Sequence, residues 1–158
     1  MATTFIKTMQ KFDYTLDYRS IDFRAEPERY RIGKGEQGVL LVQPYKDELL
    51  PLWRFKTPDI AEKSSRALYK KFLAYLKEDD FVGADMARKF LQMGWTRARR
   101  YANHRGGRKY DARSGEVLPM EADTVKAESA AIFYKLYVRA RNHSKYKRLR
   151  EKHLAETT

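Results

Sequence analysis

A chain of 158 residues, 42% of them hydrophobic and 13% aromatic, is long and apolar enough for one folded domain with its own core, which excludes a disordered chain. It contains no cysteine, so disulfides, thiol nucleophiles and thiolate metal sites are excluded and a reducing, cytoplasmic compartment is favoured. The net charge of +12 favours a polyanionic partner, whereas no membrane partner is expected, because no apolar run approaches the ~20 residues of a spanning helix.

The N-terminal half carries the signals of β-structure. Apolar residues alternate with Asp and Thr over 12–18, and this period of two predicts a half-buried strand or an extended arm. Val39–Val42 is β-branched at both ends and bounded by turn residues, so it predicts a buried strand. Leu52–Phe55 predicts its antiparallel partner, with Pro51 at the start or edge of that strand.

From Thr57 onward the hydrophobic period is helical. A capping threonine followed by Pro and Asp predicts a helix over 57–77, and the strongest periodicity in the chain predicts another over 80–103. A third long helix is predicted over 124–153. Strands followed by helices indicate an α+β fold, in which a small antiparallel sheet in the N-terminal half packs against three helices.

The whole chain, residues 1–158, is expected to form a single domain. Within it, residues 1–11 are a candidate flexible N-terminal arm, and residues 154–158 are a candidate frayed C-terminal tail. Residues 1–10 hold no long apolar run, so no secretory signal is expected there.

Three glycines, Gly33, Gly35 and Gly38, have the spacing of the dinucleotide-binding fingerprint. In that motif a helix follows the glycines, whereas a predicted strand follows Gly38 here, so a tight turn that needs positive φ explains them better. The alternative is a site for a small phosphorylated ligand that uses this turn with Lys34 and Arg54. No cofactor is expected.

The excess of positive charge lies in blocks in the second half of the chain. Residues 95–113 carry seven basic side chains and one acidic, and residues 124–158 carry nine basic and three acidic. Between them, residues 114–123 carry three acidic side chains and no basic one. Charge placed in blocks produces a local positive potential that attracts nucleic acid.

The first basic block interleaves arginines with aromatic residues. Arg97, Arg100 and His104 recur at i, i+3 and i+7, so they share one helix face, and Gly106–Gly107 ends the helix before further cations. Arginine binds phosphate bidentately, and tyrosine stacks on exposed bases. A solvated basic face, with its aromatic residues turned into the core, is the alternative. The candidate nucleic-acid-binding residues here are Arg97, Arg100, Tyr101, His104, Arg105, Arg108, Lys109 and Tyr110.

The last predicted helix carries a second basic stripe. Arg141, Lys145, Arg148 and Lys152 recur at i, i+4, i+7 and i+11, so they form one line on an ideal helix. The first three are candidate supporting contacts for nucleic acid. A solvated helix end explains the same pattern equally well.

No catalytic motif is detectable. The three histidines are too scattered for a metal cluster, and no metal site is expected. The acidic run at 78–80 is typical of a connection that caps two helices. The sequence therefore leaves open whether the protein is an enzyme.

Several short strings resemble a family of domains of unknown function that is associated with bacteria and large tailed phages. The resemblance covers roughly residues 12–150 and implies no particular activity. The strings are at 22–24, 30–33, 35–40, 44–46, 53–58, 80–83, 86–93 and 96–104.

Three functions are compatible with the sequence. The favoured one is a nucleic-acid-binding accessory or regulatory protein that contacts the phosphate backbone, with DNA preferred over RNA. The second is an enzyme or binder for a small phosphorylated ligand. The third is a protein-interaction module for an acidic partner.

Overall fold

The computed structural model describes residues 10–103, 113–115 and 124–157, and its regular elements are helical. Two short 3₁₀ turns lie at Pro27–Arg29 and Leu50–Leu52. The α-helices among the described residues are α1 at Tyr45–Leu49, α2 at Pro58–Lys77, α3 at Phe81–Asn103, α4 at Thr124–Arg141 and α5 at Ser144–Thr157.

Helix α3 is the centre of the fold. Helices α2 and α4 pack against it and against each other, and α5 packs against it as well. Every residue from Phe81 to Leu91 is buried, including residues that point away from the apolar stripe. A helix buried on all sides needs neighbours on all sides, and the loops of residues 10–56 supply the remaining cover.

The predicted α+β fold is wrong, because no described residue belongs to a strand or sheet. Residues 39–42 form consecutive turns, and residues 53–55 run unpaired after a 3₁₀ turn. Helix side chains take the place of a partner strand. Ser64 Oγ on α2 donates to Leu52 O at 2.6 Å and accepts from Arg54 N at 2.9 Å. A single hydroxyl thus satisfies the backbone groups that a ladder would otherwise pair.

The turn at Gly33–Gly38, hereafter the glycine turn, is confirmed as a turn. All three of its glycines have positive φ, and a further series of turns, not a helix, follows Gly38. A Cβ atom at Gly38 would lie 2.1 Å from the ring of Phe12, so this position excludes any side chain by space as well as by φ. The dinucleotide-type arrangement is therefore absent from the glycine turn.

The helices predicted over 57–77 and 80–103 are confirmed, together with their caps. Thr57 Oγ1 accepts from Ile60 N at 3.3 Å, and Asp80 Oδ1 accepts from Gly83 N at 3.0 Å. Both caps satisfy amide groups that have no partner within their helix.

The prediction of one helix over 124–153 is wrong, because the helix is interrupted between α4 and α5. His143 Nδ1 accepts from Lys145 N at 3.2 Å, which caps the new helix. The break directs α5 so that Tyr146, His153 and Leu154 are buried. Tertiary packing therefore overrides a helical pattern that is continuous in the sequence.

Described residues near the two ends of the chain contact each other. Residues 154–157, treated above as a tail, continue α5. Of the predicted N-terminal arm, Gln10 and Lys11 are described, and Gln10 Nε2 donates to Thr157 Oγ1 at 2.9 Å. Gln10 Oε1 also accepts from Ile32 N at 2.9 Å, so this side chain joins three segments.

Helices α3 and α4 approach closely at Gly94. A Cβ atom at Gly94 would lie 2.3 Å from Cδ1 of Phe133, which is fully buried. The absent side chain gives Phe133 its place against the backbone of α3. Close packing of this kind does not tolerate an added methyl group.

We expect Gly94→Ala to lower the free energy of unfolding by about 1–3 kcal/mol, because Phe133 must move. Urea denaturation would measure the change. Phe133→Leu should relieve the clash, so the double variant should lose less stability than the sum of the two single variants. Strict additivity would contradict the proposed contact.

Candidate nucleic-acid interface

A cluster of charged side chains lies inside the fold on α3. Asp85 is completely buried, and its Oδ1 accepts from Arg88 Nη2 at 2.6 Å and from Tyr146 OH at 2.6 Å. Its Oδ2 accepts from Tyr30 OH and lies 4.0 Å from Lys89 Nζ. The spacing i, i+3 and i+4 places one carboxylate between two cations on the same helix. We call Asp85, Arg88 and Lys89 the buried charge cluster.

The buried charge cluster holds the glycine turn against α3. Lys89 Nζ donates to Ile32 O and to Gln37 O, each at 2.6 Å. Arg88 Nη1 donates to Gly35 O at 2.6 Å. Charge-assisted bonds to carbonyl groups at both ends of a turn replace the hydrogen bonds that a sheet would provide.

The protonation of the cluster follows from its burial and its mutual contacts. Burial would raise the pKa of Asp85, but the charges of Arg88 and Lys89 and hydrogen bonds from Tyr146 and Tyr30 together lower it to about 2. Burial lowers the pKa of Lys89 to about 7, against the opposing effect of Asp85. Because the pKa of Asp85 is below its value of 3.8 when unpaired, its stabilising contribution is present above about pH 4 and is lost as the pH falls towards 2.

His153 on α5 closes the cluster from the other side. Its Nε2 lies 2.8 Å from Tyr30 O, so this nitrogen carries the proton and donates it to the carbonyl group. Burial lowers the pKa of His153 below its usual 6.5, although the hydrogen bond to the Tyr30 carbonyl partly opposes this. The imidazole is therefore neutral at pH 7.

Three aromatic rings form a recess where the unpaired segment after the second 3₁₀ turn meets α3. The ring centroids of Trp53 and Phe55 are 5.0 Å apart, and those of Phe55 and Tyr101 are 6.0 Å apart. The recess has a volume of about 740 Å³. We call it the aromatic recess, and its cationic lining residues are Arg54, Lys56 and Lys126.

Trp53, which lines the aromatic recess, has an unpaired donor. Trp53 Nε1 is the one buried side-chain nitrogen or oxygen without a hydrogen-bond partner in the part of the chain that the structure describes. Buried polar atoms are almost always paired, so this position stands out. Lys126 Nζ lies 5.8 Å from the Phe55 centroid and donates to Lys56 O at 2.5 Å.

Helix α3 carries the predicted arginines on the same face as Tyr101, which lines this recess. Arg97 and Arg100 are exposed, and with Tyr101 they occupy one face of the helix. Arg97 also lines a shallow hollow with Lys34 and Leu41, at the outer side of the glycine turn. Trp95 is partly buried against the core and packs on Tyr134 of α4.

The other candidates of the first basic block are not described by the structure. His104, Arg105, Arg108, Lys109 and Tyr110 lie outside the described residues. Their part in the interface stays a prediction.

The predicted stripe Arg141–Lys145–Arg148 is wrong as one line, because α4 ends at Arg141. Arg141 lies near the glycine turn, in a recess that contains Arg88. Lys145 Nζ instead pairs with Asp79 Oδ1 at 2.9 Å. Arg148 lines a third recess, beside Asp79. The break in the helix therefore separates Arg141 from Lys145, Arg148 and Lys152, which remain together on α5.

The alternative ligand residues, Lys34 and Arg54, do not converge. Lys34 lines the hollow with Arg97, whereas Arg54 lines the aromatic recess. A small-ligand site that uses both residues stays a prediction.

The buried charge cluster is not among the sites predicted from the sequence. Its signal is visible in retrospect: Asp85, Arg88 and Lys89 interrupt the helix with the strongest apolar periodicity, at ion-pair spacing. The aromatic recess had no such signal. Trp53 and Phe55 alternate with polar residues, and that pattern predicts a strand before it predicts a binding surface.

Two further features, a cluster of metal-ligating side chains and a membrane-spanning helix, are absent from the described ranges. No group of three or more His, Asp or Glu side chains that would hold a metal ion occurs there. None of the described helices is long and apolar enough to cross a membrane.

We expect Asp85→Asn to lower the free energy of unfolding by about 3–5 kcal/mol, because the buried Arg88 guanidinium loses its counter-charge. Urea denaturation at pH 7 would measure the loss. Asp17→Asn removes an exposed carboxylate and should cost less than about 0.5 kcal/mol. Equal effects of the two substitutions would contradict a special role for Asp85.

His153 predicts a pH dependence. Its folded pKa is below the unfolded value of 6.5, so the unfolded state takes up the proton first and stability falls as the pH drops below about 6.5. His153→Gln keeps a donor for Tyr30 O but has no titrating group, so its stability should vary less between pH 7 and pH 5. Denaturation midpoints of the native protein and of the variant across this pH range would test this expectation. If the two midpoints changed in parallel with pH, the assignment to His153 would be contradicted.

Comparison with known proteins identifies the family of the chain but not its function. A search of curated proteins and a search of solved structures found no match. A family model matches residues 13–156, which is almost the entire chain. The chain belongs to that family, a domain of unknown function designated DUF4385.

Proposed function

We propose that the protein binds nucleic acid as an accessory or regulatory factor, through the aromatic recess and the adjoining face of α3. The supporting observation is the juxtaposition of three aromatic rings with cations on the rim of the same recess. Proteins that bind single strands combine these two features, since bases stack on rings while cations follow the phosphates.

The phosphate contacts come from exposed arginines. Arg54, Arg97 and Arg100 have no carboxylate oxygen within 4.0 Å in the described part of the chain. Within those ranges they have no internal ion pair to give up when a phosphate approaches. Each guanidinium presents a planar fork that matches two phosphate oxygens.

The base contacts come from the recess. An unpaired base has two π-faces, and stacking on an aromatic side chain contributes about 1–3 kcal/mol per base. Such contacts tolerate any base, so binding is expected to depend little on sequence. A preference for DNA, a cytoplasmic location and the association with bacteria and large tailed phages stay predictions. An acidic protein partner stays the alternative.

We expect the triple variant Arg54→Ala, Arg97→Ala and Arg100→Ala to weaken binding to all sequences alike. It should also reduce the slope of log affinity against log salt on single-stranded DNA by about 0.7 per lost contact, or ~2 in total. Fluorescence anisotropy with a labelled single strand at several salt concentrations would measure both.

The matched control removes the same formal charge from exposed positions of α2, as Lys63→Ala, Lys70→Ala and Lys77→Ala. It should leave the slope nearly unchanged. If both triples lowered the slope equally, net charge alone would explain binding and the localised interface would be refuted.

Stacking predicts a different signature. Tyr101→Leu keeps apolar bulk but removes a ring, so affinity for single strands should fall by roughly 5- to 100-fold while the salt slope stays the same. Tyr134→Leu is the control, because it removes an exposed ring on α4 whose ring contacts do not include the residues of the recess. It should change the affinity for single strands little. Equal losses from both would exclude the recess as the stacking site.

A further inference from the structure

The glycine turn borders a second recess, on the side where α3, the end of α4 and α5 meet. Its volume is about 610 Å³, within the size range of small-ligand sites. We call it the cationic cleft. Its basic lining residues are Arg88, Arg141, Lys147 and Arg150.

Arg88 lies at the inner end of the cleft and is fixed in place. It is 7% exposed, and its guanidinium donates to Asp85, Tyr146, Gly35 O and Gln92 Oε1. Nη2 makes one of these bonds and carries two hydrogens, so one N–H remains. A buried guanidinium held rigid by its own neighbours is preorganised for an acceptor.

The outer cations are less constrained. Neither Arg141 nor Lys147 has a carboxylate oxygen within 4.0 Å among the described residues. The acidic lining residue, Glu151, lies 4.0 Å from Arg150 and so offsets that one charge. Cations gathered in one recess repel one another, and low-dielectric walls strengthen the field that attracts an anion.

We propose that the cationic cleft binds a phosphoryl group of a phosphate ester, with Arg141 and Lys147 contacting its oxygens and Arg88 behind them. Tyr137 and Tyr146 line the same space and offer an apolar wall to the rest of the ligand. The glycine turn was expected to contribute to such a site with Lys34 and Arg54. The turn does contribute, but the cations come from α3, α4 and α5.

This site is separate from the proposed nucleic-acid interface. The two share no lining residue. The phosphoryl group belongs to a free phosphorylated compound or to the end of a nucleic acid, and both present the same oxygens to the cleft. Because their lining residues differ, we expect substitutions at one site to leave the other intact.

Isothermal titration calorimetry of the full chain with inorganic pyrophosphate and with ADP tests the proposal. We expect one site, with adenosine giving no heat. Arg141→Gln combined with Lys147→Gln should weaken binding about tenfold or more, because two charge-assisted bonds are lost. The triple variant of Arg54, Arg97 and Arg100 should bind pyrophosphate normally, which separates this proposal from the nucleic-acid interface.

The matched control is Lys135→Gln with Arg139→Gln, on the face of α4 that points to α2. Competition then identifies the source. If a 5′-phosphorylated oligonucleotide displaces pyrophosphate and the same oligonucleotide without the phosphate does not, the ligand is the end of a nucleic acid. If only ADP displaces pyrophosphate, the ligand is a free nucleotide. Absence of pyrophosphate binding at ~50 mM salt, or equal weakening by both double variants, would overturn the proposal.

Discussion

The structure depends on one carboxylate. Asp85 is inaccessible to solvent and holds Arg88 and Lys89 inside the helix bundle. Removing charges from water is costly, and only complete pairing and hydrogen bonding compensate for it. The two cations then donate hydrogen bonds to the carbonyl groups of Gly35 and Gln37 in the glycine turn and of Ile32 directly before it. A long irregular N-terminal segment thereby obtains a defined position without a sheet.

This constraint connects the core to both proposed surfaces. The glycine turn lines the cationic cleft on one side and the hollow with Arg97 on the other. Ser64 fixes the segment that carries Trp53 and Phe55 in a similar way, through two backbone hydrogen bonds. Side chains of rigid helices thus position loops, and loops and helices together supply the rings and cations that line the two recesses.

The helices with strong local signals were predictable. Thr57 and Asp80 are caps by residue type, and the periodicity of α3 places Phe90 and Leu91 in the core, where both are fully buried. The sheet was predicted wrongly because alternation and β-branching describe local preference, whereas a strand also requires a partner. Lys89 and Ser64 supply those bonds from distant positions, which no local pattern reveals.

The candidate site was predictable in part for the same reason. Arg97 and Arg100 share an exposed face, as helical spacing requires. Arg141 and Lys145 were separated by a helix break that depends on the burial of Tyr146 against Asp85. The aromatic recess joins residues 53–55 to Tyr101, and their proximity is a property of the tertiary fold alone.

Nucleic-acid binding is the central claim, and the native protein tests it directly. The measurement is a titration of labelled single-stranded and duplex oligonucleotides of mixed sequence at ~50 mM and ~200 mM salt. The account predicts binding that weakens steeply with salt and is tighter for the single strand, since only unpaired bases reach the aromatic recess. No binding to either oligonucleotide at the lower salt concentration would contradict it.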